Sequence, residues 1–359
     1  MAPAKPNSSK SLLPARRARQ IFDKQIVPIL SPQIRPQRDP RLILLGAQPG
    51  AGKTSLASII GESLGPGRRP VLLDFDALRP FYPGYQAIKR RMGPDGDRLV
   101  TDDVYRWLTM AFDYVRAHHS DVLVEHTMAN PQQVDNVVKR FADPPESGAA
   151  RYRVEAAFLA TAAADSRLGM LERYQLAYTH TGHGRHPGDK LHDQRYHSVL
   201  EAADWLDTDP RFEAVAVYRR GVRQPISRKV RDTTGTWSPD VATRQIMATE
   251  RARPWDLARS QQWLSLHARL VAAADAQWLP SLELAWQDAQ PLLDPAALVD
   301  APLDQHVAEV WEVAFQAQPP PAHRPRGSHD AESHIAEADG LSDQGLSAPD
   351  VSGPDGASM

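Results

Sequence analysis

Lys53, Thr54 and Ser55 follow a glycine-rich run, Gly46-Ala47-Gln48-Pro49-Gly50-Ala51-Gly52, and that spacing suits phosphate chemistry. Glycines let a backbone approach an anion closely. Successive N–H groups and a helix N-terminus then point at the phosphate oxygens. Lys53 is placed to reach β- and γ-phosphates, and the Thr54 hydroxyl to hold Mg²⁺. The phosphate-binding set is therefore Gln48, Pro49, Gly50, Ala51, Gly52, Lys53, Thr54 and Ser55, with ATP and Mg²⁺ as the implied cofactors. The strict P-loop spacing puts its first glycine at position 47, where this chain has Ala47; alanine is the smallest replacement, and the loop is read as intact. Acids come next. Asp74 and Asp76 close one apolar run, and Glu125 lies near the end of another. An aspartate beside a hydroxyl can align it and take its proton as a phosphoryl group transfers. Both acids are placed to meet whatever the loop holds; Asp74 reads equally well as the cap of the following turn, Asp76 less so.

Elements must hold these residues in place. Leu42–Leu45 is a short apolar run before the loop, so the motif sits in a strand–loop–helix context. Further strands are predicted at Pro70–Asp76, Asp121–Thr127, Tyr152–Ala160 and Phe212–Tyr218. Helices are predicted between them, at Thr101–His118, Asn130–Phe141, Ala164–Tyr178 and Leu191–Leu206. Alternating strands and helices imply a parallel sheet with right-handed crossovers. Carboxyl ends of such strands are where chemistry sits, which places the acids opposite the loop. The expected fold class is α/β: a parallel sheet flanked by helices, with a C-terminal helical appendage. Residues 1–19 read as a basic, disordered arm and Gln20–Val27 as a short helix stopped by Pro28. The core domain is 20–239, the appendage 240–318, and 319–359 a disordered tail too poor in apolar residues to order itself.

Composition narrows the class. The chain has 359 residues, 42% of them hydrophobic, enough for a core. A net charge of −2 gives no polyanion-binding signature, so no nucleic-acid partner is expected. Cysteine is absent, which fits a reducing compartment; a cytoplasmic location is expected, with no membrane span and no signal peptide.

Taken together, the motifs resemble the zeta-toxin family of P-loop kinases. The blocks that carry this are LILLGAQPGAGKT, LLDFDALRPFYPGY, VLVEHTM, LGMLERYQLAY, GRHPGDKLHD and VYRRGV, in that order between Leu42 and about Ser227. The resemblance implies a P-loop kinase-like fold and ATP-dependent phosphorylation of UDP-N-acetylglucosamine on the sugar 3′-hydroxyl. It also implies a separate antitoxin as a possible partner. It would make Asp76 the catalytic aspartate and Lys53 the P-loop lysine. Arg173 and Arg185 would be phosphate-facing arginines, and Glu125 with Thr127 would lie on the substrate side. His126 stands where the family commonly has glycine, and this bears on the acceptor.

Other readings use the same residues. The acceptor could be an antibiotic, a nucleoside or another sugar. A nucleotide-dependent binding switch would use Glu125 as a Walker-B-like acid and phosphorylate nothing. His180, His183, His186 and His192 suggest a metal, but without cysteine and on a loop no zinc site is expected; the loop His183-Gly184-Arg185 reads as a lid that could close over ATP, with His192-Asp193 fixing its geometry. Tyr82 and Tyr85 either stack on a sugar or base or cap the core. The basic stretch Arg219–Arg231 is a candidate lining of the nucleotide site. Removing residues 320–359 is expected to leave folding and catalysis unchanged, which urea denaturation and ATP turnover of the shortened chain would check.

Overall fold

The protein is described by a computed structural model covering residues 12–126, 128, 130–142, 151–181, 184 and 186–300. It divides into two compact units, Met1–Ala308 and Glu309–Met359; the second lies wholly outside the described residues. So do residues 1–11 of the expected arm and 301–308 of the first unit.

Seven strands form one sheet in the order β2-β3-β1-β4-β5-β6-β7. They are β1 Arg41–Gly46, β2 Val71–Asp74, β3 Val122–His126, β4 Arg153–Leu159, β5 Phe212–Tyr218, β6 Pro225–Arg231 and β7 Trp237–Ser238. The first five pair in parallel. The main helices are α1 Ala15–Ile21, α2 Lys53–Ser63, α3 Tyr85–Met92, α4 Thr101–Ala117, α5 Pro131–Ala142, α6 Ala163–Thr181, α7 Asp189–Thr208, α8 Thr243–Arg251, α9 Leu257–Ala273 and α10 Leu279–Ala289. This is the P-loop kinase-like α/β architecture expected from the sequence.

Helices cover both faces of β1, which is why RLILLG reads as an unbroken apolar run. Successive side chains alternate between faces. Leu42 and Leu44 join one core with Val71, Val122 and Val124. Ile43 and Leu45 join the other, against Leu56 and Ile60 of α2. Helix α4 buries Val104, Trp107, Leu108, Ala111, Phe112 and Val115, the stripe its spacing predicts.

Two stretches differ from the sequence reading. Strands β6 and β7 add to β5 antiparallel, so the sheet is mixed. Their signal is inverted: the buried side chain of β6 is Lys229, which pairs with Asp207 at 2.7 Å and lies 4.8 Å from the centre of the Trp237 ring. A buried, paired lysine looks like surface in a hydrophobicity pattern. At the N-terminus, helix begins at Ala15, inside the expected arm. Ala18, Ile21 and Phe22 are buried, and Trp107 Nε1 donates to Ala18 O at 2.9 Å. Contact with α4 outweighs the charge pattern of Arg16, Arg17 and Arg19. The helix also passes Pro28 and runs to Leu30. A π-turn over Phe22–Ile26, closed by Val27 N–H to Phe22 O, has already shifted the ladder where proline lacks its donor.

One buried cation ties three helices. Arg167 of α6 is 5% exposed and bonds Asp189 at 3.0 Å and Asp193 at 2.5 Å, both on α7, and Asp288 of α10 at 2.7 Å. Removing it leaves three carboxylates facing one another, but each is part-exposed, so the loss falls below that of a dry pair. Arg167→Met is expected to destabilise the protein by about 2–3 kcal/mol in urea denaturation.

Candidate active site

The loop after β1 is shaped by two glycines with left-handed backbone, Gly50 at φ 76° and Gly52 at φ 103°. Gly50 is also a point of close approach. A Cβ there would lie 1.9 Å from Ser166 O on α6, and one on Gly169 would lie 2.4 Å from Gly50 O. Ala47 has no left-handed φ and is fully buried, so its methyl group brings no backbone strain. The departure from the strict P-loop spacing is therefore absorbed by packing.

Gln48 turns its side chain away from the cradle and into the protein. Its Nε2 donates to Thr161 O at 2.9 Å and to Ser166 Oγ at 3.2 Å, and its Oε1 accepts from Arg251 Nη2 at 3.1 Å. Thr161 Oγ1 in turn donates to Ala51 O at 3.2 Å. These bonds place the loop at the point where connections from neighbouring strands diverge. From β1 the chain crosses to β2 on one side, and from β4 to β5 on the other.

Lys53 begins α2, with Thr54 and Ser55 exposed beside it. Its Nζ folds back over the loop and donates to Ala47 O at 3.1 Å and Gln48 O at 3.3 Å. Burial pushes the ammonium below its usual range, and Arg173 adds to that. Glu125, Asp74 and Asp76 pull the other way. Five of the residues singled out above thus share one electrostatic neighbourhood.

Register explains the convergence of the acids. Asp74 at the end of β2 pairs with Glu125 of β3, and Gly46 of β1 pairs with His126. Glu125 is half-buried, and its carboxyl is pushed up by burial, then by Asp74; Lys53 opposes and Asp76 adds a smaller push. Asp74 Oδ1 accepts the Asp76 N–H at 3.0 Å, so Asp74 is the cap of the next turn. Asp76 is left exposed at the cleft. Arg79, one helical turn on, lies 3.2 Å from Asp76 and 2.7 Å from Asp97. Asp97 accepts the Tyr85 hydroxyl at 2.6 Å. Tyr85 therefore belongs to the core rather than to a stacking platform, and burial, then Asp97, push its hydroxyl up to about 12. Arg79 was not singled out from sequence; its i, i+3 spacing from Asp76 was the available signal.

Arg173 is exposed on α6, on the side that acts on Lys53 and His186. Arg185, Thr127 and His183 lie outside the described residues. His192 is fully buried, with Nε2 at 2.8 Å from Ser166 Oγ and Nδ1 at 3.0 Å from Asp193; the lid around Arg185 lies partly outside the described residues. His192 supports the P-loop from behind, through Ser166. Of the basic stretch, Arg219 is paired with Glu250, Arg223 with Glu62 and Lys229 with Asp207. Arg220 is the one that approaches the loop. It donates to Asp165 O at 2.9 Å, and its Nε lies 3.8 Å from where a Cβ on Gly52 would stand. From Arg220 opens a cavity of about 680 Å³, walled by Asp165 and Glu172 of α6 and by Trp255, Arg259 and Trp263.

Among the described residues no three His, Cys, Asp or Glu side chains are grouped to hold a metal. The donor set on hand is the exposed hydroxyl of Thr54, with that of Ser55 next to it, beside carboxylates and a phosphate cradle. That suits Mg²⁺, which keeps its waters and takes few protein ligands. Also among them, no helix is long and apolar enough to cross a membrane.

Comparison with known proteins gives a consistent result. No curated protein sequence matches the chain. A structure from the PezAT chromosomal toxin–antitoxin system of Streptococcus pneumoniae aligns with a TM-score of 0.59 and 18% identity, covering 73% of this chain and 98% of that one. The AvrRxo1-ORF1:-ORF2 complex with ATP aligns with a TM-score of 0.44 and 14% identity, over 76% and 85% of the two chains. The first of these agrees with the fold described above. The zeta toxin family profile matches residues 29–228, more than half of the sequence and all of the strands and loops that bear the site; the chain belongs to the zeta toxin family.

Proposed function

We propose that this chain transfers the γ-phosphate of ATP to the sugar 3′-hydroxyl of UDP-N-acetylglucosamine, as the toxin of a toxin–antitoxin pair. The observation that carries the reading is the shared electrostatic neighbourhood of Lys53, Arg173, Glu125, Asp74 and Asp76 beside a P-loop. One cationic side is ready for phosphates, and one anionic side is ready for a hydroxyl. Family membership supports the phosphotransferase class, and the solved relative from a toxin–antitoxin system supports an antitoxin partner.

The residues divide the work as follows. Backbone N–H groups from Gly50 to Thr54 cradle the polyphosphate. Lys53 leaves the Ala47 and Gln48 carbonyls for the β- and γ-phosphates, and Arg173, with Arg185, neutralises charge on the group in flight. Thr54 would hold Mg²⁺, which would supply positive charge to the phosphates. Asp76 aligns the acceptor hydroxyl and takes its proton. Arg79 holds Asp76 from the side. Glu125 and Thr127 orient the sugar. The nucleoside half of ATP extends past Arg220 into the 680 Å³ cavity.

His126 lies beside this sugar site. Its Nδ1 accepts the Met128 N–H at 2.7 Å, which fixes a neutral ring with the proton on Nε2. Burial, then Arg195 and Lys53, push its pKa down to about 4. A neutral donor at that position can address a sugar oxygen at physiological pH.

The deciding experiment mixes protein, ATP, Mg²⁺ and UDP-N-acetylglucosamine and reads products by mass. A product one phosphate heavier is expected. Asp76→Asn should keep ATP binding and lower kcat by about 10²–10⁴-fold, and Lys53→Ala should lower turnover by about 10²–10³-fold. Near wild-type transfer by Asp76→Asn would sink the mechanism. ATP bound with no product would move the acceptor to another small molecule or leave a binding switch. His126 also makes a pH prediction. Between pH 6.5 and about 4 the unfolded chain takes a proton on this histidine that the folded chain refuses. Stability should therefore fall as pH drops through that window, and His126→Asn should flatten the fall in urea denaturation at pH 7.5 and 4.5.

A further inference from the structure

Arg251 closes α8, beyond the stretch that the family profile matches. It is 4% exposed. Its Nη2 donates to Gln48 Oε1 at 3.1 Å and its Nη1 to Tyr196 O at 2.8 Å. The guanidinium lies 4.1 Å from the centre of the Tyr196 ring. Its Nε has no hydrogen-bond partner. Arg167, equally buried, is met by three carboxylates, whereas Arg251 meets, among the described residues, a carbonyl, an amide oxygen and a π face.

A buried charge without a counter-ion costs stability. The last turn of α8 and the ring of Tyr196 offset part of that cost. Burial accordingly holds the guanidinium below its usual range, at about 10, so it stays charged at neutral pH. Among the described residues no carboxylate answers it, and a ligand anion at the P-loop, whose Gln48 it grips, would complete the balance.

We propose that Arg251 is a positioning residue for the nucleotide: fixed behind the P-loop through Gln48, its unmatched positive charge raises the loop's affinity for a polyphosphate. This rests on the nucleotide-binding reading above. Two effects act together. Arg251 holds one end of the Gln48 amide while Thr161 and Ser166 hold the other, which sets the backbone of the loop. Its charge adds to that of Lys53 in a region of low dielectric. The C-terminal helical region thereby takes part in binding a ligand that the family-matched region cradles.

Arg251→Met keeps the length of the side chain and removes the charge; Arg251→Lys keeps the charge. The test measures Kd by calorimetry for ATP, inorganic tripolyphosphate and adenosine, with urea denaturation of each variant in parallel. Arg251→Met should weaken ATP and tripolyphosphate by about tenfold, leave adenosine unchanged, and be no less stable than wild type. Arg251→Lys should recover most of the lost affinity. Unchanged ATP binding by Arg251→Met would overturn the proposal. So would a loss of stability in Arg251→Met with equal weakening of adenosine, which marks a merely structural role. Wild-type protein that binds neither ATP nor tripolyphosphate would overturn the nucleotide reading and the proposal together.

Discussion

The P-loop turn meets the helix after β4 backbone to backbone, with no room for a side chain between Gly50 and Ser166 or between Gly169 and Gly50. A cradle made of N–H groups is only as fixed as the surface behind it. Here that surface is α6, and everything that grips α6 grips the cradle. Arg167 binds α6 to α7 and α10. His192 of α7 reaches Ser166, which Gln48 of the loop also bonds. Arg251 of α8 reaches the same Gln48. The helices that look peripheral in the sequence are thus the rear support of the loop.

The acidic side of the cleft obeys a different constraint. Parallel register sets Asp74 beside Glu125, and burial, then the neighbouring Asp74 carboxylate, raises the proton affinity of Glu125. Asp74 spends its oxygen on a turn and Glu125 faces Lys53, while Asp76 steps out of the strand onto a short helix. That step exposes Asp76 and gives it Arg79 as a neighbour. The three acids are consecutive in space but unequal in surroundings, and unequal surroundings are what separate a structural carboxylate from a reactive one.

Much of this was legible before any coordinates. The apolar run Leu42–Leu45, the glycines, Lys53 and the acids at strand ends are local patterns, and each has a local cause in backbone freedom or in the period of a strand. What stayed hidden depends on contacts distant in sequence. Arg79 and Arg251 look like ordinary surface cations until Asp97 and Gln48 are seen beside them. The bond between His192 and Ser166 spans 26 positions and leaves no local pattern. Lys229 disguised a strand by reversing the usual inside and outside, its charge answered by Asp207. Tyr85 offered two readings from sequence, and only the hydroxyl partner decided between them.

The bond between Gln48 and Arg251 joins residues 203 positions apart. A ribosome adding about 5–20 residues each second needs roughly 10–40 seconds to cover that distance. During that interval the nascent chain carries a complete glycine-rich loop whose rear support is still incomplete. The loop motif emerges early, but its last anchor arrives with α8, so the nucleotide site matures late in synthesis. For a chain of a toxin family, the order of translation itself delays the moment at which the catalytic cleft is whole.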